Sequence, residues 1–130
     1  MKKLAIMTLS ILVLGFTQAQ AQGPTEREVP VGINSVYIPG GFDINSDVYV
    51  VTSGIFQNTC YRWSRADIPD KSAFEHEIQT MAIVKSGMCL MVLVPFTKEV
   101  RLGKLAAGDH TLRFVNGDGT YLEKKLNVEK

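Results

Sequence analysis

Residues 95–116 read Pro-Phe-Thr-Lys-Glu-Val-Arg-Leu-Gly-Lys-Leu-Ala-Ala-Gly-Asp-His-Thr-Leu-Arg-Phe-Val-Asn. Apolar residues alternate with polar ones before Gly103 and again after Gly108. Alternation with a period of two is typical of half-buried β-strands, and the two glycines favour a turn between them. The stretch therefore predicts two strands joined at a corner.

The order of residues after this turn predicts the kind of corner. Leu105, Gly108 and His110 resemble the entry into the penultimate strand of immunoglobulin-like sandwiches, with His110 where a tyrosine usually stands. A ring nitrogen of His110 can hydrogen-bond back across the turn, as the tyrosine hydroxyl would. We therefore interpret these three residues as a structural corner, with a catalytic use of His110 as the alternative.

Turn signals divide the rest of the chain into short segments of strand character. Asn116 and Gly117 begin the strongest hairpin signal, and a strand over residues 121–128 follows it. The continuously apolar residues 89–94 predict a strand buried on both faces. Residues 64–72 predict a loop. Residues 77–85 favour a strand, with a partly helical segment as the alternative, since Phe74, Ile78, Met81 and Ala82 also fit a helical face. A helical turn near residues 72–76 is compatible with either interpretation. The other predicted strands cover residues 29–38 in one or two pieces, 48–52 and 55–63.

This pattern predicts an all-β protein. Short strands with turns at regular spacing favour a single antiparallel immunoglobulin/fibronectin-III-like β-sandwich of about seven strands with one disulfide.

The first residues resemble a secretory signal peptide. Lys2 and Lys3 precede a short apolar run, and Ala19 and Ala21 form an Ala-x-Ala cleavage pattern. The run is shorter than the roughly 20 residues that span a bilayer, so we expect cleavage rather than retention as an anchor. The predicted division is a signal peptide over residues 1–21, a flexible lead over 22–28 and one β-sandwich domain over 29–130.

Charge argues against several classes of partner. The sequence has 14 Lys and Arg against 13 Asp and Glu, and loss of Lys2 and Lys3 changes the formal charge from +1 to −1. Without a basic excess we expect no nucleic-acid partner. We also expect no transmembrane segment after signal cleavage, and a monomer or weak homodimer.

The two cysteines, Cys60 and Cys89, allow one pairing. In an oxidising compartment such a pair predicts a disulfide, worth about 3 to 4 kcal/mol on the chain-entropy estimate. A redox or metal-binding thiol pair is the alternative, but it usually has Cys-x-x-Cys spacing or nearby histidines.

Several motifs identify a family resemblance. Residues 54–61 read Gly-Ile-Phe-Gln-Asn-Thr-Cys-Tyr. Further matching positions are Met88-Cys89, Pro95-Phe96, Val100, Leu102-Gly103, Leu105, Gly108 and Val115-Asn116-Gly117. From residue 42 to residue 117 the chain resembles an uncharacterised family of secreted bacterial disulfide-containing immunoglobulin-like β-sandwich domains. Gln57 replaces the family's usual Pro, and His110 its usual Tyr. The resemblance implies an exported β-sandwich that is held together by a disulfide and has no known catalytic residue.

Two candidate metal sites have simpler explanations. Asp43, Asn45 and Asp47 alternate as in a calcium loop, but Val48 and Gly54 occupy the places where an EF-hand has Gly and Glu. A turn stabilised by its own Asx side chains explains the same residues.

A copper site would need two histidines and a free cysteine near a methionine. The methionines of the exported part lie in apolar segments, where they commonly fill a core. His76 lies between two glutamates and is interpreted as solvated. We predict no metal site, no cofactor and no catalytic residue, since no Gly-x-Ser-x-Gly elbow or Gly-rich phosphate loop is present.

The sequence therefore favours an exported non-enzymatic β-sandwich that binds another protein or an envelope component through its loops or a sheet edge. One alternative is an inhibitor of a secreted hydrolase, a protease or a glycosidase, with the turn at residues 56–58 and the loop at 62–70 as its edges. A metal-binding periplasmic protein is the other. The candidate binding surface comprises Phe56, Gln57, Asn58, Arg62, Trp63 and Arg65.

Overall fold

The computed structural model describes Gly15, residues 25–69 and residues 72–130. The predicted signal peptide lies outside these residues, apart from Gly15. Eight strands make up the described part: β1 (Glu26–Val31), β2 (Ser35–Tyr37), β3 (Val48–Phe56), β4 (Tyr61–Asp67), β5 (Glu75–Lys85), β6 (Val94–Gly103), β7 (Gly108–Val115) and β8 (Tyr121–Val128). They form two sheets, which confirms an all-β sandwich, with eight strands where about seven were predicted.

The larger sheet is organised around β5. One edge of β5 pairs with β4, and the other edge pairs with β7 along its first half and with β1 along its second half. β8 pairs with the outer edge of β7. The pairs are antiparallel except β5 with β7, which are parallel. An eleven-residue strand is long enough for two partners to lie end to end along one edge.

The smaller sheet has the order β2-β3-β6, and both pairs are antiparallel. The predicted break at residues 53–54 is wrong, because β3 continues through Gly54 to Phe56. A Cβ atom on Gly54 would lie 2.5 Å from the Phe96 ring. Gly54 therefore makes room for an aromatic ring instead of ending a strand. Pro95, which directly follows the predicted strand over residues 89–94, pairs with Ile55 inside β6.

The core lies between the sheets and follows the alternation of the strands. Phe114 in β7 and Ile78 in β5 are almost fully buried in the larger sheet, and Val50 in β3 is buried in the smaller one. Thr52 is buried with them, and its hydroxyl donates to the Lys98 carbonyl at 3.1 Å. A buried hydroxyl with a partner avoids the cost of an unmade hydrogen bond.

Two predicted boundaries are wrong. β1 begins at Glu26, so the end of the predicted flexible lead is part of the sheet. β4 extends to Asp67, where a loop was predicted, because its polar residues alternate on the exposed face of an edge strand.

Two predicted turns are present. The amide of Asn45 donates to the Asp43 carboxylate at 2.8 Å, so Asp43 forms an Asx turn, as predicted in preference to a calcium loop. The β7–β8 connection is a hairpin in which Gly117 and Gly119 take φ values of 82° and 93°. Such left-handed values favour glycine.

Candidate functional site

Two loops meet at one end of the sandwich. Residues 57–60 lead from β3 of the smaller sheet to β4 of the larger one, and residues 86–93 lead from β5 back to β6. Tyr61 pairs with Val84, and Phe56 pairs with Val94, so both connections leave their sheets at the same end. We call residues 57–60 and 86–93 the tip.

A disulfide and two hydrogen bonds hold the tip together. Cys60 and Cys89 are bonded, which confirms the predicted pairing. The Thr59 amide donates to the Leu90 carbonyl at 3.2 Å, and the Leu90 amide donates to the Thr59 hydroxyl at 2.9 Å. The Asn58 side-chain oxygen accepts a hydrogen bond from the Cys60 amide at 2.9 Å. These bonds satisfy backbone groups that a loop would otherwise leave to water.

The second tip loop exposes apolar side chains to solvent. Five large side chains are exposed, to relative areas of 104%, 69%, 80%, 53% and 71% for Met88, Leu90, Met91, Val92 and Leu93 respectively. The prediction of a buried strand over residues 89–94 is therefore wrong. β6 begins to pair only at Val94, and the residues before it cross between the sheets without a neighbouring strand. An apolar run alone does not distinguish a buried strand from an exposed crossing.

A cleft of about 310 Å³ lies beside the tip, between β1 and β3. β1 is an outer strand of the larger sheet, and β2 covers β3 only as far as Ser53, so the sandwich is open on this side. The cleft is lined mainly by Val29, Pro30, Val31, Ile55, Gln57 and Tyr61.

A family model described as the ORF11 beta-sandwich domain matches residues 50–128. The chain belongs to this family. The match includes the whole tip and the corner at His110 of the ORF11 domain. No curated protein and no solved structure matches the chain. The predicted membership of a β-sandwich family is thus supported, while its bacterial, secreted and immunoglobulin-like aspects stay predictions.

The structure distributes the predicted binding surface of the ORF11 domain over four places. Gln57 and Asn58 belong to the tip, and the Gln57 amide donates to the Tyr61 hydroxyl. Phe56 is buried, with its ring centroid 4.3 Å from that of Phe96, so Phe56 is a core residue and its assignment to a surface is wrong. The alternation of β3 places Phe56 on the inner face.

Arg62 and Arg65 lie on the outer face of the larger sheet. Both Nη atoms of Arg62 donate to the Glu26 carboxylate at 3.0 Å, and Arg65 lies 2.7 Å from the Glu28 carboxylate. The hydrogen bonds and charge of Arg62 lower the pKa of Glu26, and Glu26 in turn raises the pKa of Arg62. These arginines tie β4 to β1 across β5.

Trp63 faces inward and packs against the core. Lys98 from the edge of the smaller sheet places its Nζ 5.6 Å from the ring centroid of Trp63, within cation–π distance. Trp63 Nε1 is buried without a hydrogen-bond partner among the described residues. Trp63 closes the side of the sandwich opposite the cleft and does not reach the tip.

The corner of the ORF11 domain has the hydrogen bond predicted from the sequence. His110 is fully buried, and its Nε2 donates to the Ala106 carbonyl at 2.7 Å. Because a carbonyl only accepts, His110 Nε2 carries the hydrogen of that bond, and His110 Nδ1 forms a second hydrogen bond with His76 Nε2 at 3.0 Å. His76 is therefore half-buried and bonded, not merely solvated. Leu105 packs against the core, and a Cβ on Gly108 would lie 3.2 Å from the Phe74 ring.

Among the described residues, no three His, Cys, Asp or Glu side chains are grouped so that they could hold a metal ion. None of the described segments is a helix of the length and apolarity needed to cross a membrane.

Proposed function

We propose that the chain is an exported, non-enzymatic binding module that contacts another protein or an envelope component through its tip. The observation that carries the proposal is the exposure of five large apolar side chains in one short, disulfide-stapled loop. Contiguous apolar surface of this kind marks interaction sites on soluble domains.

The staple supports binding in a second way. A loop that is already fixed loses less conformational freedom when it binds. The disulfide and the hydrogen bonds between Thr59 and Leu90 fix the loop in the unbound protein.

Export is supported by the signal-peptide pattern of residues 1–21, and the disulfide is compatible with it. The hydrolase-inhibitor alternative loses one of its two loops, because residues 62–67 are a strand. Its other loop, at residues 57 and 58, belongs to the tip.

Binding to envelope fractions tests the proposal. Purified mature protein is mixed with isolated envelopes of the source organism, and bound protein is measured after sedimentation. We expect the wild type to bind and the double variant Leu90→Asp/Leu93→Asp to bind at least tenfold more weakly. Ile44→Asp is the matched control, since Ile44 is also an exposed large apolar residue but precedes β3 at the opposite end.

Thermal melts of the three proteins show whether each is folded. Equal binding by the wild type and the double variant would overturn the assignment to the tip. Absence of binding by a folded wild type would overturn the binding module itself.

A further inference from the structure

The charges around the tip have one predominant sign. Residues 48–61 and residues 86–97 contain no Asp, Glu, Lys, Arg or His. Arg62 directly follows the first of these stretches, and Lys85 directly precedes the second. Both residues lie at the tip ends of their strands, β4 and β5. An apolar tip therefore stands between basic residues.

β1 adds one more basic and one acidic residue to this end of the sheet. Glu26 pairs in register with Lys85, and Arg27 with Val84. Glu26 is engaged by Arg62. The three basic residues thus exceed the single acid, and Arg27 and Lys85 are both exposed.

We propose that the tip docks on a lipid bilayer with anionic headgroups. The proposal rests on the proposed function and names its partner class. Leu90, Met91 and Leu93 enter the boundary between headgroups and acyl chains, and Lys85 and Arg27 meet lipid phosphates. Apolar residues combined with nearby cations are the pattern of interfacial membrane binding.

The backbone of the tip suits this environment. Polar backbone groups that lose water without a partner are costly in a bilayer. The amide and the carbonyl of Leu90 are both already hydrogen-bonded to Thr59, and the Lys85 amide donates to the Cys60 carbonyl at 3.0 Å. The exposed loop can therefore shed water at its most apolar point without leaving these groups unpaired.

The side chains favour a lipid surface over a protein groove. Protein interfaces take most of their affinity from Trp, Tyr and Arg anchors. Residues 86–93 contain none of these and offer only Met, Leu and Val as large side chains. A fluid bilayer accepts such a loop without a complementary pocket, whereas a protein partner needs one.

Sedimentation with protein-free vesicles tests the proposal. The vesicles contain either phosphatidylcholine alone or phosphatidylcholine with phosphatidylglycerol. We expect the wild type to bind the anionic vesicles at least tenfold more tightly than the neutral ones, and less tightly as salt is raised. Leu90→Asp/Leu93→Asp should lose at least tenfold on anionic vesicles, while the control Ile44→Asp should bind as the wild type does.

The basic residues have their own variant. Lys85→Gln/Arg27→Gln should weaken binding to anionic vesicles by about fivefold per charge removed and leave the residual binding to neutral vesicles unchanged. Equal weakening on both vesicle types would overturn the role given to these two residues.

A fluorescence measurement reports insertion directly. Met91→Trp in a Trp63→Phe background should show a blue shift of its emission when anionic vesicles are added, and Ile44→Trp in the same background should not. A folded Met91→Trp variant without a shift would overturn insertion of the tip.

Comparison with the envelope experiment separates the two proposals. Binding to envelopes without binding to vesicles would overturn the lipid partner and leave the binding module standing. Loss of envelope binding after protease treatment of the envelopes would identify a protein partner and likewise overturn the lipid proposal. Binding to neither preparation would overturn both.

Discussion

Replacement of His110 by Phe removes the polar link that closes the corner before β7. His110 is fully buried, and its two ring nitrogens join the Ala106 carbonyl on one side and His76 Nε2 on the other, at 2.7 and 3.0 Å. Phe preserves a flat ring of similar size but has neither a donor nor an acceptor. The substitution therefore isolates hydrogen bonding from packing.

The expected loss follows from the two bonds. A typical hydrogen bond contributes about 1 kcal/mol net, and a buried group left without its partner costs about 1 to 3 kcal/mol. Because Ala106 is exposed and its carbonyl can turn to water, we take the lower value for each bond. The free energy of unfolding should fall by about 2 kcal/mol. In a domain of about 100 residues that lowers the melting temperature by roughly 8 to 16 °C.

Thermal and guanidinium unfolding followed by circular dichroism measure this loss. The comparison variant His76→Phe removes the bond between the two histidines and leaves the bond from His110 to Ala106 in place, so it should also lower stability while the corner stays closed. The double variant should lose less than the sum of the two singles, because both remove the same histidine pair. A melting temperature of His110→Phe within 2 °C of the wild type would refute the structural role of the corner.

Three further predictions concern the sheets and the staple. Gly54→Ala places a Cβ 2.5 Å from the Phe96 ring and should lower stability by about 1 to 3 kcal/mol; unchanged denaturant unfolding would contradict this contact. The pKa of Glu26, lowered by Arg62, should rise toward the ordinary value of 4.5 in Arg62→Ala, as an NMR titration measures. Because the pKa of Glu26 is depressed in the folded state, its pair with Arg62 stabilises the wild type above pH 4.5, and this contribution is lost as the pH falls through the folded-state pKa. A stability difference between wild type and variant that does not change with pH would disprove the linkage. Reduction of the disulfide, which closes a separation of 29 residues, should cost about 3 to 4 kcal/mol, and an unchanged melt after verified reduction would count against the staple.

The elements with a clear period or turn signal were predictable from the sequence. β7 and β8 alternate cleanly, and the hairpin between them follows from Asn116-Gly117. The corner and the disulfide were predictable because each depends on one residue type at one place. His110 is the only histidine after the turn, and two cysteines allow one pairing.

The errors arise where tertiary contacts give a residue a different role from its local preference. The local sequence around Gly54 predicts a break between two strands. In the structure, the missing side chain of Gly54 leaves space for the Phe96 ring, which no local sequence pattern indicates. Residues 64–67 look like a loop because they are mostly polar, yet they pair with β5 as the outer face of an edge strand. The exposed half of the candidate site, residues 88–93, was missed for a related reason. The signal in residues 88–93 was strong, but an apolar run carries no information about whether another strand covers it.

Core and tip use different residues, and this separates folding from binding. None of the five exposed tip side chains belongs to the buried cluster between the sheets. Packing therefore does not require their apolar character, and substitution of such surface positions usually changes stability by less than about 0.5 kcal/mol. An apolar loop that adds little to stability exposes the protein to aggregation, so its composition supports the proposed binding role. We therefore expect the melting temperature of Leu90→Asp/Leu93→Asp to lie within a few degrees of the wild-type value, while its binding is weakened. A large loss of stability in that variant would place the loop in the core and contradict the separation.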